Sequence, residues 1–352
     1  EYPRKKVTIL TRYLYSQIKS GEIRSDDVEL NARDLAKHYN ISEVTAHRVL
    51  EELAKSDQGK NIKDKAPLPP VGRSYHIGVC IDSLMPLEQH YIYQESPFLM
   101  ERGSAVQRLE NLGHRVTVFN VQTMNNPKAD LNGIDALLTK APPIRAMEER
   151  LLKEKIPVVI AQVGAFEPSR FHSIAPELSN GALAILDLWG KEHPILMAGC
   201  KNRVAIERLE SILYWADFLH WDLNLFQMQI LPMMPGDLGQ LSGYKAGLDI
   251  VKTQKSPRII SASDYFSFGL VNAFREAQWE PKKDYELISI DNLEGMGQTP
   301  FGKPFLSTVD IRLPELYMAA ADLVLEILER RPVNDCLIAQ RIPSRFVRRE
   351  TA

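Results

Sequence analysis

From Tyr75 onward, short apolar runs alternate with stretches whose apolar residues recur every three or four positions. Tyr75–Ile81 is such a run, suited to a parallel strand buried on both faces. Leu99, Val106 and Leu109 are helically spaced in 98–112, Gly113 stops that helix, and His114–Val121 supplies a second strand. Ile134–Thr139 and Ile156–Ala161 read as strands three and four, with a charged helix over Arg145–Lys155 between them. The rhythm then restarts. Helices over Gly181–Trp189, Val204–Leu219, Leu241–Lys252 and Phe268–Ala277 lead to strands over Pro194–Ala198, Phe226–Leu231, Arg258–Ala262 and Glu286–Ile290. Regular alternation with short loops predicts an α/β fold with doubly wound parallel sheets. Two such runs predict two lobes, with a ligand between the carboxyl ends of their strands.

The first seventy residues follow another pattern. Val7, Leu10, Leu14 and Ile18 repeat at helical spacing up to Gly21. Two short helices are expected over 31–38 and 43–54, separated by Tyr39-Asn40-Ile41. Asn40 suits the left-handed turn conformation, and Ser42 suits the N-cap of the second helix, with Thr45 at its third position. Leu35, Ala36, Ile41, Ala46, Leu50 and Leu53 form an apolar seam, so the pair reads as a helix-turn-helix whose second helix fits a major groove about 12 Å wide. The proline-rich Ala66-Pro67-Leu68-Pro69-Pro70 would run extended and stiff. The expected organisation is a DNA-binding module over 1–65, a linker over 66–74 and a body over 75–352.

Charge sharpens this division. Residues 1–70 hold thirteen Lys/Arg against eleven Asp/Glu, whereas the whole 352-residue chain carries a formal charge of −2. A wholly basic coat protein is excluded; a small DNA-reading module on a neutral body is not. Cys80, Cys200 and Cys336 are too far apart for a metal cluster or a disulfide framework, and each is expected to pack as a small hydrophobe in a reducing compartment. With no apolar run long enough to span a bilayer and no signal-like start, the expected address is cytoplasmic. Phosphate-loop, dinucleotide, nucleophile-elbow and zinc-protease motifs are absent, so neither enzyme activity nor a cofactor is expected.

Residues 33–53 resemble the GntR-type winged helix, with Arg33, Leu35, Ala36, Ser42, Thr45, Leu50 and Leu53 matching its signature. The resemblance implies DNA contacts at Arg33, Ser42, Glu43, Thr45, His47 and Arg48, and at Lys60 on an abbreviated wing. Glu43 and His47 replace family arginines. Residues 75–350 resemble the LacI-type effector domain, a relative of periplasmic sugar-binding proteins. Three ordered stretches carry that likeness: Leu178–Gly199, Ile259–Arg275 and Leu287–Val309. It implies interlobe crossings near Phe166–His172, Asp291–Leu293 and Arg330–Val333. It also implies ligand contacts at Asp82, Gln162, Arg208, Ser263, Asp264 and Asp291. Carboxylates, amides and a planar guanidinium suit a sugar or polyol, and sugar acids stay open.

Bland readings stand beside these. Asp264 would also serve as a helix cap, Arg208 as a partner of Glu207 or Glu210, and Asp291 as a hinge brace. Together the two resemblances imply a ligand-responsive regulator, most simply a repressor, acting as a homodimer on operator DNA. The alternative is a sugar-binding protein without sequence-specific DNA regulation.

Overall fold

The computed structural model describes residues 11, 32–39, 42–57, 74–81, 105–140, 142–161, 170–233, 237–330 and 337–352. The N-terminal part contains α1 (Ala32–Tyr39) and α2 (Glu43–Asp57). Buried Leu35, Ala36, Ala46 and Val49 hold the two helices together. Ser42 caps α2: its Oγ accepts from the Thr45 N–H at 3.2 Å, as the sequence led us to expect. Asn40, Lys60 of the wing and the proline linker lie outside the described residues.

The body is built on two six-stranded sheets with the same strand order. The first contains β1 (His76–Ile81), β2 (Arg115–Asn120), β3 (Ala136–Thr139), β4 (Val158–Ala161), β5 (His172–Glu177) and β11 (Ala339–Pro343). The second contains β6 (Ile195–Cys200), β7 (Phe226–Leu231), β8 (Arg258–Ser261), β9 (Glu286–Asp291), β10 (Ser307–Asp310) and β12 (Arg345–Val347). Their orders are β2-β1-β3-β4-β5-β11 and β7-β6-β8-β9-β10-β12. Among the named strand pairs only β10–β12 is antiparallel.

Helices cover both faces, which is why the buried stretches of the central strands are largely apolar. A helical stretch over 105–111 (α3) and the long α9 (Leu313–Arg330) share a core with Ile77, Val79, Leu138, Val159 and Ile174. The alternate strand residues Leu137, Val158 and Ile160 pack instead with Met147 and Leu151 of α4 (Arg145–Glu154). In the second sheet, Met197, Ile260 and Ile288 face α5 (Ser179–Trp189) and α6 (Arg203–Phe218). Their neighbours Ala198, Ile259 and Leu287 face α7 (Gln240–Thr253) and α8 (Asp264–Glu276).

Sheet membership relocates the crossings. β5 continues the first sheet beyond 166–172, β9 and β10 adjoin within the second beyond 291–293, and α9, which ends at Arg330, packs on the same sheet that β11 joins. The chain changes sheet between β5 and α5, between β10 and α9, and at Ser344 between β11 and β12. These three points are tied together. The Ser344 N–H donates to Glu177 O at 2.9 Å, and Ser344 Oγ accepts from the Gly181 N–H at 3.3 Å. The Asp310 carboxylate takes the Arg312 N–H at 2.8 Å and Arg345 Nε at 2.9 Å. The expectation failed because β5 carries Pro176 in a polar-ended segment, and β11 and β12 are short, half-exposed edge strands.

Candidate functional site

In each sheet one early strand lies between the next two, β1 between β2 and β3 and β6 between β7 and β8. That reversal opens a crevice at strand carboxyl ends, where ligands of open α/β sheets bind. The first-sheet contributions expected there, Asp82 and Gln162, lie outside the described residues, as does Lys60 of the wing. The second-sheet contributions are described, and the fold gathers them at the ends of β6, β8, β9 and β10.

Arg208 sits on the inward face of α6 and is 4% exposed. Its Nη2 donates to Asp291 Oδ1 at 2.6 Å and its Nη1 to Ala262 O at 2.9 Å. It therefore joins helix α6 to the ends of β8 and β9, while Arg203 pairs with Glu207 on the helix surface at 2.6 Å. Asp291 ends β9 with φ 134° and Asn292 follows at φ 64°, both in the left-handed region that side chains avoid. Such conformations persist only where surroundings enforce them. Here the Arg208 pair grips Asp291, while Arg349 Nη2 donates to Asn292 Oδ1 at 2.6 Å.

Ser263 and Asp264 divide the work at the start of α8. Ser263 is the N-cap, its Oγ accepting from the Phe266 N–H at 3.3 Å, so the capping role considered for Asp264 falls one residue earlier. Asp264 is fully buried and turned across to β9 and β10. Its Oδ2 accepts from the Leu293 N–H at 2.7 Å and its Oδ1 from the Thr308 hydroxyl at 3.0 Å. Burial, then the negative charge of Asp291, pushes its carboxyl up to about 7, against the pull of its Ser289, Leu293 and Thr308 hydrogen bonds. The folded protein then holds a proton there that the unfolded chain has released, over the range from an ordinary carboxylate value of about 4 up to about 7. Stability from this group is present at the acid end of that window and is lost as pH rises through it. Asp264→Asn should flatten that decline, seen in urea midpoints taken from pH 4 to pH 7; an unchanged slope would place the proton elsewhere.

A second buried carboxylate was not anticipated. Glu294 Oε2 accepts from the Phe305 and Leu306 N–H groups, both at 2.7 Å, with Arg349 Nη1 at 3.6 Å. Arg349 also donates to Leu306 O at 2.7 Å, so the segment from β9 to β10 is clamped onto the C-terminal residues. Nothing periodic flags Glu294 or Arg349 in the sequence, because their partners, backbone groups and the Asn292 side chain among them, lie 11 or more positions away along the chain.

Lys201, Asn202, Arg203, Ile206, Glu207 and Glu210 line a cavity of about 470 Å³ at the carboxyl end of β6. Asn202 Oδ1 accepts from the Ala205 N–H at 2.8 Å and caps α6. Cys80 and Cys200 are buried free thiols whose pKa values burial raises, Cys80 to about 12; Cys336 is outside the described residues. Among the described residues no His, Cys, Asp or Glu group is arranged to hold a metal, and no helix is long and apolar enough to cross a membrane.

In the N-terminal pair, Ala46 and Val49 face inward, so Glu43, Val44, His47, Arg48 and Glu51 form the exposed face of α2, with Ser42 exposed at its cap. Arg33 is exposed on α1, and Thr45 is half-buried, its Oγ1 2.8 Å from Ser42 Oγ.

No family model and no curated protein sequence matches the chain. Solved structures do. A LacI family transcriptional regulator from Enterococcus faecium with bound ribose superposes with a TM-score of 0.61 at 18% identity, covering 79% of this chain and 98% of its own. The lac repressor dimer bound to operator and the anti-inducer ONPF gives 0.61 at 18% identity, over 80% and 95%. A second ribose-bound LacI family regulator, from Enterococcus faecalis V583, gives 0.57 at 19% identity, over 79% and 98%. The body of this chain thus shares the α/β fold, with its two parallel sheets, of these LacI family structures.

Proposed function

We propose that this protein is a ligand-responsive transcriptional regulator, acting as a homodimeric repressor that senses a sugar or related polar metabolite. One observation carries the reading: a two-sheet body with an arginine–carboxylate floor at its strand ends shares a chain with a helix pair whose second helix exposes Glu43, His47 and Arg48. The structural neighbours include regulators holding ribose and one holding operator DNA together with an anti-inducer, which fits both halves. In this reading the helix pair is a GntR-type module reading through Arg33, Ser42, Glu43, Thr45, His47 and Arg48, with Lys60 on the wing. The effector lies over Arg208, Asp291 and Ser263, with Asp82 and Gln162 facing it from the other lobe and Asp264 positioning the floor. The crevice binds and releases its ligand unchanged. Closure changes the spacing of two recognition helices on a near-palindromic site.

A thermal-shift screen over pentoses, hexoses, polyols and sugar acids tests the sensor, since a ligand binding only the folded state raises the melting temperature. Selection from randomised duplexes tests the reader. The effector found in the first experiment should change DNA affinity about 5- to 150-fold in the second, the usual range of allosteric coupling. A stabilising sugar with no influence on DNA, and no duplex enriched, would leave only a sugar-binding protein. Arg48→Ala should weaken DNA binding about 5- to 150-fold, the worth of one arginine contact to a base, while leaving the ligand-induced thermal shift intact.

A further inference from the structure

Over its described side chains, Glu43–Glu51, the outward face of α2 is poorly equipped to hold DNA by charge. Glu43 and Glu51 outnumber Arg48 there, and Val44, 63% exposed, places an isopropyl group beside Glu43. The first turn behind the Ser42 cap thus presents one carboxylate and one apolar side chain to whatever α2 approaches. A carboxylate near a phosphate backbone is repelled. It becomes favourable in a major groove only opposite an exocyclic amino group, which is carried by cytosine N4 and adenine N6. Adenine sets the N7 acceptor beside its amino group, and that lone pair would face the carboxylate. Cytosine sets only a C–H there.

From this geometry, and resting on the DNA-reading role proposed above, we infer that Glu43 is a specificity-determining residue that selects a cytosine in each half-site, accepting from its N4 amino group. Affinity then comes from cations elsewhere, such as Arg33 and Arg48, and the first turn of α2 supplies discrimination. The competing role for Glu43 is structural: a negative charge in the first turn complements the helix dipole. That role makes no demand on the base sequence.

The test is selection by the full-length protein from duplexes randomised across two half-sites, repeated with Glu43→Ala and Glu43→Gln. Because Glu43 is exposed, both variants should keep the wild-type circular dichroism. The wild type is expected to enrich a cytosine at one position per half-site. Glu43→Ala should lose at least about fivefold discrimination at that position alone, and Glu43→Gln should move the preference toward adenine, whose N6 and N7 match a carboxamide. If both variants keep the cytosine and merely bind every sequence more tightly, Glu43 is only a charge and the inference is overturned. A wild type that enriches no sequence defeats the DNA-reading proposal itself, before any variant is compared.

Discussion

Arg208→Ala is expected to lower the unfolding free energy by about 3–5 kcal/mol, the penalty for stripping one partner from a buried ion pair. The side chains of Arg208 and Asp291 are only 5% and 11% exposed, so water cannot replace the lost guanidinium. What remains is a charged Asp291 at a backbone angle of φ 134°, close enough to the buried Asp264 for their charges to repel. Arg208→Met with Asp291→Asn should recover most of the loss, because a matched apolar or neutral replacement avoids the isolated charge. Urea midpoints for Arg208→Ala and for the double variant at pH 7 decide the matter. A loss below about 1 kcal/mol for Arg208→Ala at pH 7 would mean the pair behaves as a solvated surface bridge.

This pair also shows where reading the sequence stopped. The elements that carry it were legible. Phe226–Leu231 is the strand expected, Arg258–Ala262 is longer by one residue, and Val204–Leu219 is shifted by one. Buried parallel strands declare themselves because both faces must be apolar, and Ser42 announced its helix because a hydroxyl cap is local. The pairing itself is not local: Arg208 and Asp291 stand 83 positions apart, and their meeting depends on β6, β8 and β9 lying side by side. Family position pointed to both residues as ligand contacts; the structure shows a guanidinium turned inward and bonded to Asp291 and to the Ala262 carbonyl. The crossings were misplaced for a related reason. A chain leaves a sheet where strand pairing ends, and β5, with Pro176 inside it, extends that pairing past the last obvious apolar run.

Gly243→Ala should be the most damaging small substitution in the second lobe, although alanine favours helix by about 1 kcal/mol over glycine. A Cβ at Gly243 in α7 would overlap the Phe266 carbonyl oxygen of α8, with the Phe266 Cα at 3.1 Å. The contact is reciprocal: a Cβ at Gly269 in α8 would overlap the Gln240 carbonyl oxygen and lie 2.5 Å from the Tyr244 nitrogen. These neighbours are backbone and cannot rotate away, so the helices must separate. Overpacking of this kind costs about 1–3 kcal/mol and sometimes more, and with no side chain able to yield we expect a net loss of at least about 2 kcal/mol despite the helix propensity gained. Gly269→Ala should behave alike, and the double variant should cost less than the sum, since one separation relieves both clashes. The damage should reach the crevice. Displacing α8 moves Ser263 and Asp264, and with Asp264 the hydrogen bonds to Leu293 and Thr308 that fix the ends of β9 and β10. Gly243→Ala should therefore weaken the sugar-induced thermal shift as well as stability, whereas a loss confined to stability would show that the strand ends hold without α8. A neutral or stabilised Gly243→Ala protein would contradict the close helix crossing altogether.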